Sequence, residues 1–264
     1  VKFYTWCNDK SDSRLNRLNE SAELNNIKIE PIGEGGDINE GGRFNGKNLW
    51  LQEKVRELDE NEIVVCTDAY DVIYLTNADE IKQKFLKMNA KIVYSAECLY
   101  NHQDSKFLEY YKKLGKEKHF KYMCAGVMIG YAKNIKEMIE VLLNSENRLS
   151  QSSLIPLWGE LNDQTQIGKY ITENSNKVKL DYDCEIFWTD VNFCPKCPQK
   201  HSHPKHIGYA LSNLKNKILV NGRMLNPFTN SNPCIFHCPN TKRSHQVITT
   251  VWEYIKTSKG DVSK

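Results

Sequence analysis

"VVCTDAYDVIYLTNAD", residues 64–79, runs an apolar stretch into Asp68, places a second carboxylate at Asp71 with Tyr70 between them, and then returns to apolar residues. The apolar run reads as a buried strand, and in parallel α/β sheets ligands gather beyond the carboxyl ends of strands, where loops and helix N-termini converge. Two acids spaced as Asp-x-x-Asp can be turned toward one point, where a hard divalent cation with oxygen ligands would offset their repulsion. The plainer reading is that Asp68 caps a turn and Asp71 faces solvent, since aspartate is favoured in turns. Spacing alone supports both readings. Tyr70 offers a flat amphipathic ring of the kind that stacks on a nucleobase.

The flanking sequence alternates between strand and helix patterns. Upstream, "VKFYTW" is a short β-rich run, "SRLNRLNESAEL" carries Leu15, Leu18 and Ala22 at helical spacing, "NIKIEPIG" is strand-like, and "KNLWLQEKVREL" is helical again. Between the last two lies a glycine cluster, residues 33–46, which suits either close approach to a ligand or a surface loop. Downstream, "ADEIKQKFLKM" is a helix with acids at its N-terminus, "AKIVYSAE" and "CAGVMIGYA" are strands, and "NIKEMIEVLLNS" is a helix. "NDQTQIGKYITENS" reads as a helix, "KVKLDYDCEIFW" and "PCIFHCP" as strands, and "SHQVITTVWEYIKTS" as a closing helix. The pattern predicts an α/β fold, a mostly parallel sheet flanked by helices, in a single domain over residues 1–264. It breaks over residues 190–233, where Pro, Cys, His, Asn and Lys crowd into a loop-rich insertion in which only "KILVNGRML" looks regular.

A chain of 264 residues with 40% hydrophobic content can bury one substantial core. The net charge is +3, from 36 basic and 33 acidic residues that are interspersed, so no polyanion-binding face stands out and nucleic acid is not expected as a partner. No apolar run approaches the roughly 20 residues needed to span a bilayer, so no membrane span is expected. The sequence opens on Val1, which reads as a fragment or processed chain, and its oligomeric state is left open. The nine cysteines include Cys194-x-x-Cys197, followed by His201, His203 and His206, with Cys234 and Cys238 further on. A structural Zn²⁺ at Cys194 and Cys197 and a disulfide-stapled insertion are equally compatible with this pattern, purely free thiols rank below them, and redox catalysis is the weakest reading. A single Asn-x-Ser sequon, Asn19 to Ser21, is compatible with secretion.

The ordered set "IVVCTDAYDVIYLTNADEIKQKF", "AKIVYSAE", "YMCAGVMIGYA", "LNDQTQIGKYI", "KLDYDCEIF" and "FHCPNTK" resembles the glycosyltransferase domain of procollagen lysyl hydroxylases and related collagen glycosyltransferases. The resemblance implies a GT-A-like fold, a UDP-sugar donor and a Mn²⁺ ion held by Asp68, Asp71 and His237. In the donor pocket it implies Lys47, Lys242 toward the diphosphate, and Tyr70 against uracil, with Thr5 at the end of the first strand near the nucleotide. On the sugar and acceptor side it implies Glu97, Asn162 and Asp163. There the sequence departs from the family, with only Asp163 left of an acidic run, Asn101 where the pattern has Trp, and "CAGVMIG" where it has Asn-Ser-Gly-Gly.

The function implied is transfer of glucose from UDP-glucose to galactosyl-hydroxylysine of collagen-like polypeptides in the secretory pathway (endoplasmic reticulum). Galactosyl transfer to hydroxylysine, or a non-catalytic nucleotide-sugar or collagen-binding module of a larger hydroxylase, are the alternatives.

Overall fold

Strand β3 (Ile63–Asp68) is buried along its length and only its last residue, Asp68, emerges. It lies in the middle of a six-stranded sheet of order β2-β1-β3-β6-β5-β7, with β1 spanning Lys2–Trp6, β2 Ile29–Ile32, β5 Ile92–Glu97, β6 Tyr122–Tyr131 and β7 Val178–Asp181. Strands β1, β2 and β3 are mutually parallel, as are β5 and β7, while β6 runs antiparallel to both β3 and β5. Strand β6 is the departure from the parallel pattern. The computed structural model describes residues 1–39, 46–100, 106–149, 163–189, 219–220, 223–239 and 242–260.

Alternation along the strands sends side chains to two separate cores, as a period of two requires. Val64, Cys66, Ile92 and Tyr94 enter one core, and Ile63, Val65 and Val93 enter the other. Helices cover both. Helix α1 (Arg14–Glu23) buries Leu15, Leu18 and Ala22, the positions its spacing predicted. Helix α2 (Gly46–Arg56) buries Trp50, Leu51 and Val55, and the glycine cluster begins against it. Gly33 has φ +91°, and a Cβ there would lie 2.0 Å from the Trp50 ring, so this part of the cluster packs on the indole. Residues 40–45 of that cluster lie outside the described residues.

Helix α3 (Ala78–Met88) starts on Asn77, whose side chain accepts the Glu80 amide at 3.0 Å, and ends on Asn89 in the left-handed region. Among the described residues, helices α4 (Lys106–Leu114), α5 (Ala132–Leu149), α6 (Asp163–Glu173) and α7 (Lys242–Gly260) follow, α4 being absent from the sequence reading. This is the α/β class, a mostly parallel sheet flanked by helices, that the alternation predicted.

A second, three-stranded sheet has the order β4-β11-β8, formed by Val72–Tyr74, Ile235–His237 and Phe187–Thr189. The segment "KVKLDYDCEIFW", expected as one strand, is therefore two strands in two sheets. Asp181 makes the break. Its buried carboxylate accepts the amides of Glu185, Ile186 and Phe187 at 2.9, 2.7 and 2.8 Å, curling the chain back so that β8 leaves the large sheet. Burial pushes this carboxyl up to about 6, against the opposing pull of those amides.

Of the expected insertion, residues 190–218 and 221–222 lie outside the described residues, and so do Cys194 and Cys197. The described part contains the short antiparallel pair β9 (Leu219–Val220) and β10 (Arg223–Met224). Arg223 anchors it to α3 with two hydrogen bonds to Glu80, at 2.9 and 2.8 Å, and Thr76 adds a third at 2.6 Å.

Burial alone would raise the Glu80 pKa, but Arg223 and Thr76 overcome it and hold the carboxyl at about 2. A depressed carboxyl contributes stability above its unfolded value, and that contribution is lost as pH falls through the folded value. Because the pair is partly solvated, its worth is about 1 kcal/mol. Glu80→Gln is expected to lower the urea midpoint at pH 7 and to make the loss of stability between about pH 4.5 and pH 2 shallower than in the unmodified chain. Superimposable midpoint-versus-pH curves would refute this.

Candidate metal centre

The turn from β3 into β4 carries Tyr70 and Asp71, and the small sheet brings the far end of the chain to it. Strand β11 pairs antiparallel with β4 so that His237 faces Val72, and the Cys238 amide donates to the Asp71 carbonyl at 2.9 Å. His237, only 1% exposed, thereby sets Nε2 at 3.5 Å from Asp71 Oδ1 and 3.8 Å from Asp68 Oδ2. The structure brings together the two acids and the histidine singled out in the sequence, one donor atom from each lying within 4.8 Å of the others. Donors at about 2–2.3 Å from one shared cation are spaced up to about 4.6 Å apart, so the cluster needs little closing to hold one.

Three observations fit the group to a divalent cation. His237 Nε2 is buried without a hydrogen-bond partner, which is costly unless another atom meets it. Gly126 leaves the necessary space: a Cβ there would lie 2.3 Å from His237 Cε1 and 2.7 Å from Asp68 Oδ2. Carboxylate oxygens with one imidazole also form a donor set suited to Mn²⁺-type ions. Burial disfavours a charged His237 ring, but Cys124 and Asp71 outweigh it and raise its proton affinity well above the histidine norm. A proton and a cation therefore compete for the same face of the ring.

The centre opens into a cavity of about 590 Å³. Lys47, in the first turn of α2, reaches over the Trp6 ring to place Nζ 2.6 Å from Asp68 Oδ1 and 3.7 Å from Asp163 Oδ2. Burial opposes charge on Lys47, but Asp68 and Asp163 prevail and raise its pKa. Asp163, the first residue of α6, has its own pKa raised by burial against the pull of Lys47. Lys47 thus answers Asp68 and Asp163 from one side of the cavity, and a divalent cation would answer Asp68 and Asp71 from the other.

Tyr70 lines the cavity with its ring under the Arg14 guanidinium, 4.5 Å from the centroid, and its hydroxyl is tied to Asn8 and Asp9. Two expected residues sit elsewhere. Thr5 is fully buried in β1 with its hydroxyl donating to the Thr67 carbonyl, and Trp6, one residue on, lines the cavity instead. Glu97 is buried at the end of β5 behind the cavity wall, accepting from Gln164 Nε2 at 3.3 Å, and it is Gln164 that faces the cavity. Asn162, Asn101 and the Lys242 side chain lie outside the described residues.

Sequence reasoning passed over Arg14 and His245 and gave no site role to Cys124 or Gly126 within the departing "CAGVMIG", yet all four line the cavity. Gly126 had a signal, a glycine inside a strand pattern that marks close approach of another group. Of two β6 ladders, that with β5 skips from Tyr94↔Met128 to Ser95↔Cys124, passing over Ala125, Gly126 and Val127, so the strand bulges at the metal donors. Gly126→Ala is expected to weaken divalent-cation binding about 10-fold or more in titration calorimetry while the fold persists. Unchanged affinity would show that His237 and Asp68 do not depend on this opening.

The family model described as "PLOD GT domain" matches residues 2–194. A protein of Acanthamoeba polyphaga mimivirus, named only as uncharacterized, is 29% identical over 191 residues, covering 67% of this chain and 36% of that protein. The procollagen-lysine,2-oxoglutarate 5-dioxygenase of Drosophila melanogaster is 28% identical over 200 residues, covering 70% of this chain and 27% of the fly protein. The human procollagen-lysine,2-oxoglutarate 5-dioxygenase 1 is 27% identical over 184 residues, 67% of this chain and 24% of its own length. The matches thus span about a quarter to a third of these relatives. Among solved structures, apo mouse xyloside xylosyltransferase 1 aligns with a TM-score of 0.40 at 13% identity, over 86% of this chain and 74% of that one. With the family matched across most of its length, the chain belongs to the PLOD GT domain family, a glycosyltransferase-type domain.

Proposed function

We propose that the chain is a Mn²⁺-dependent glycosyltransferase that takes its sugar from a UDP-sugar, UDP-glucose being favoured, and passes it to galactosyl-hydroxylysine on collagen-like polypeptides. The observation that carries this is the convergence of Asp68, Asp71 and His237 beside Lys47 at a cavity mouth, in a member of this family. Asp68, Asp71 and His237 would hold the ion, and when bound it supplies the positive charge that neutralises a diphosphate leaving group.

The chain's own groups supply the rest. Tyr70 gives a ring face for the base, held in place by Asn8 and Asp9. Lys47 is a buried point charge already oriented by two carboxylates, suited to a phosphate oxygen, and Lys242 at the start of α7 is assigned the same partner. Asp163 and Gln164 wall the opposite side, where the sugar and acceptor would sit, Gln164 held by Glu97 and by the Ala125 amide at 3.5 Å. Asp163 is the assigned acceptor-side carboxylate, with Asn162 beside it. Positioning of donor and acceptor in one preformed cavity is a large share of the catalysis.

A collagen-like acceptor places the chain's work in the secretory pathway. Cys7, Cys66, Cys124 and Cys234 carry free thiols, and the Cys234 thiol is buried and turned to the Glu185 carbonyl. No helix among the described residues is long and apolar enough to cross a membrane.

A second reading, a non-catalytic nucleotide-sugar or collagen-binding module, is favoured by the single acid left in "LNDQTQ". UDP release from a panel of UDP-sugars with Mn²⁺, with and without a galactosyl-hydroxylysine peptide, separates the two. The transferase reading predicts acceptor-stimulated release that is strongest with UDP-glucose, and donor binding without release would support the module. Asp68→Ala and His237→Ala are each expected to lower turnover about 100-fold or more. Full activity in either variant would remove the metal assignment.

A further inference from the structure

We propose that Thr189 and Ser95 form a hydroxyl relay that fixes His237 as its Nδ1–H tautomer, so that Nε2 presents a lone pair to the cation. Both are then positioning residues for the metal centre. The inference rests on the reading of Asp68, Asp71 and His237 as a cation site.

Strand β8 lies parallel to β11 with Thr189 opposite His237, and it sits there because Asp181 curls the chain out of the large sheet. Thr189 Oγ1 is 3.3 Å from His237 Nδ1 and 3.0 Å from Ser95 Oγ, and Ser95 Oγ is 3.4 Å from the Cys124 carbonyl oxygen. The direction of the chain is set from its far end. A carbonyl oxygen only accepts, so the Ser95 hydrogen goes to Cys124. The Ser95 oxygen then accepts the Thr189 hydrogen, and the Thr189 oxygen is left as an acceptor.

Nδ1 must therefore be the nitrogen that carries the hydrogen, and a neutral imidazole has only one. The nitrogen left bare is Nε2, the atom that faces Asp68 and Asp71 and has no hydrogen-bond partner of its own. The Cys124 thiol also approaches Nδ1, but at 3.7 Å and as a weak donor it competes poorly with the hydroxyl. Ser95, Thr189 and His237 are all at most 1% exposed, so bulk water does not offer the ring an alternative partner. Outer partners of this kind orient a ligating histidine, and their loss typically costs about 10- to 100-fold in metal affinity.

The test compares Thr189→Val, which keeps the shape and removes the hydroxyl, with Thr189→Ser, which restores it, and with Ser95→Ala. Mn²⁺ affinity is read by electron paramagnetic resonance. The tautomer is read from the imidazole ¹⁵N shifts of the metal-free protein at alkaline pH, where the ring is neutral. The expected result is Nδ1–H in the unmodified chain, about a 10-fold or greater loss of Mn²⁺ affinity with a mixed tautomer in Thr189→Val, and recovery in Thr189→Ser.

If Thr189→Val does not fold, as judged by circular dichroism, Ser95→Ala interrupts the relay one bond further back and is expected to mix the tautomers. An Nε2–H ring in the unmodified chain, or undiminished Mn²⁺ affinity in a folded Thr189→Val, would overturn the relay. Failure of the unmodified chain to bind Mn²⁺ would instead overturn the metal reading, and the ¹⁵N shifts would still decide the relay.

Discussion

The antiparallel ladder between β4 and β11 is the constraint on which the site depends. It joins the turn after the central strand to a segment near the chain's end, and it does so in one register, with His237 against Val72 and the Cys238 amide on the Asp71 carbonyl. A slip of one residue would turn His237 to the other face of the small sheet, because side chains alternate along a strand. Hydrophobic burial holds the register: Ile235 and Phe236 are fully buried, as are Ile73 and Tyr74 opposite them. The chemistry at Asp68 and Asp71 thus rests on apolar packing.

Electrostatics then organises what the ladder assembles. Burying carboxylates near one another is unfavourable unless cations answer them. Lys47 answers Asp68 and Asp163 from one side, while His237 and the space beside Gly126 lie on the other. Arg14 is held by Asp12 outside this group and covers the Tyr70 ring, so the basic residues of the cavity are shared between its Tyr70 end and its acidic end.

Much of this was legible in the sequence because it is encoded locally. Asp68 and Asp71 stand out as acids at the end of an apolar run with Tyr70 between them, whereas His237 joins them in the sequence only through the family resemblance. The alternation of periods likewise declares the α/β class. What escaped depends on three-dimensional phase. Thr5 and Trp6 are neighbours on one strand, and nothing in "VKFYTW" says which of them reaches the edge beside Asp68, whereas the pairing of Trp6 with Asp68 decides it. Glu97 ends a strand as expected but is one layer too deep, with Gln164 in front of it. The division of "KVKLDYDCEIFW" turns on one aspartate gathering amides that come after it, which no periodicity records.

The reversed direction of β6 has a consequence of its own. In a wholly parallel sheet the ligand-facing edge receives only strand ends and the loops that follow them. Because β6 enters from that edge, its opening half, Cys124 to Gly126, lies beside the ends of β3 and β5, and the cavity is floored by strand backbone. That floor is laddered to β3 from Val127 onward and to β5 at Cys124, whereas the remaining walls are long side chains such as Arg14, Lys47 and Gln164. Changes in what the cavity admits over evolutionary time would then be recorded in the walls, while the floor keeps the shape that a missing side chain gave it.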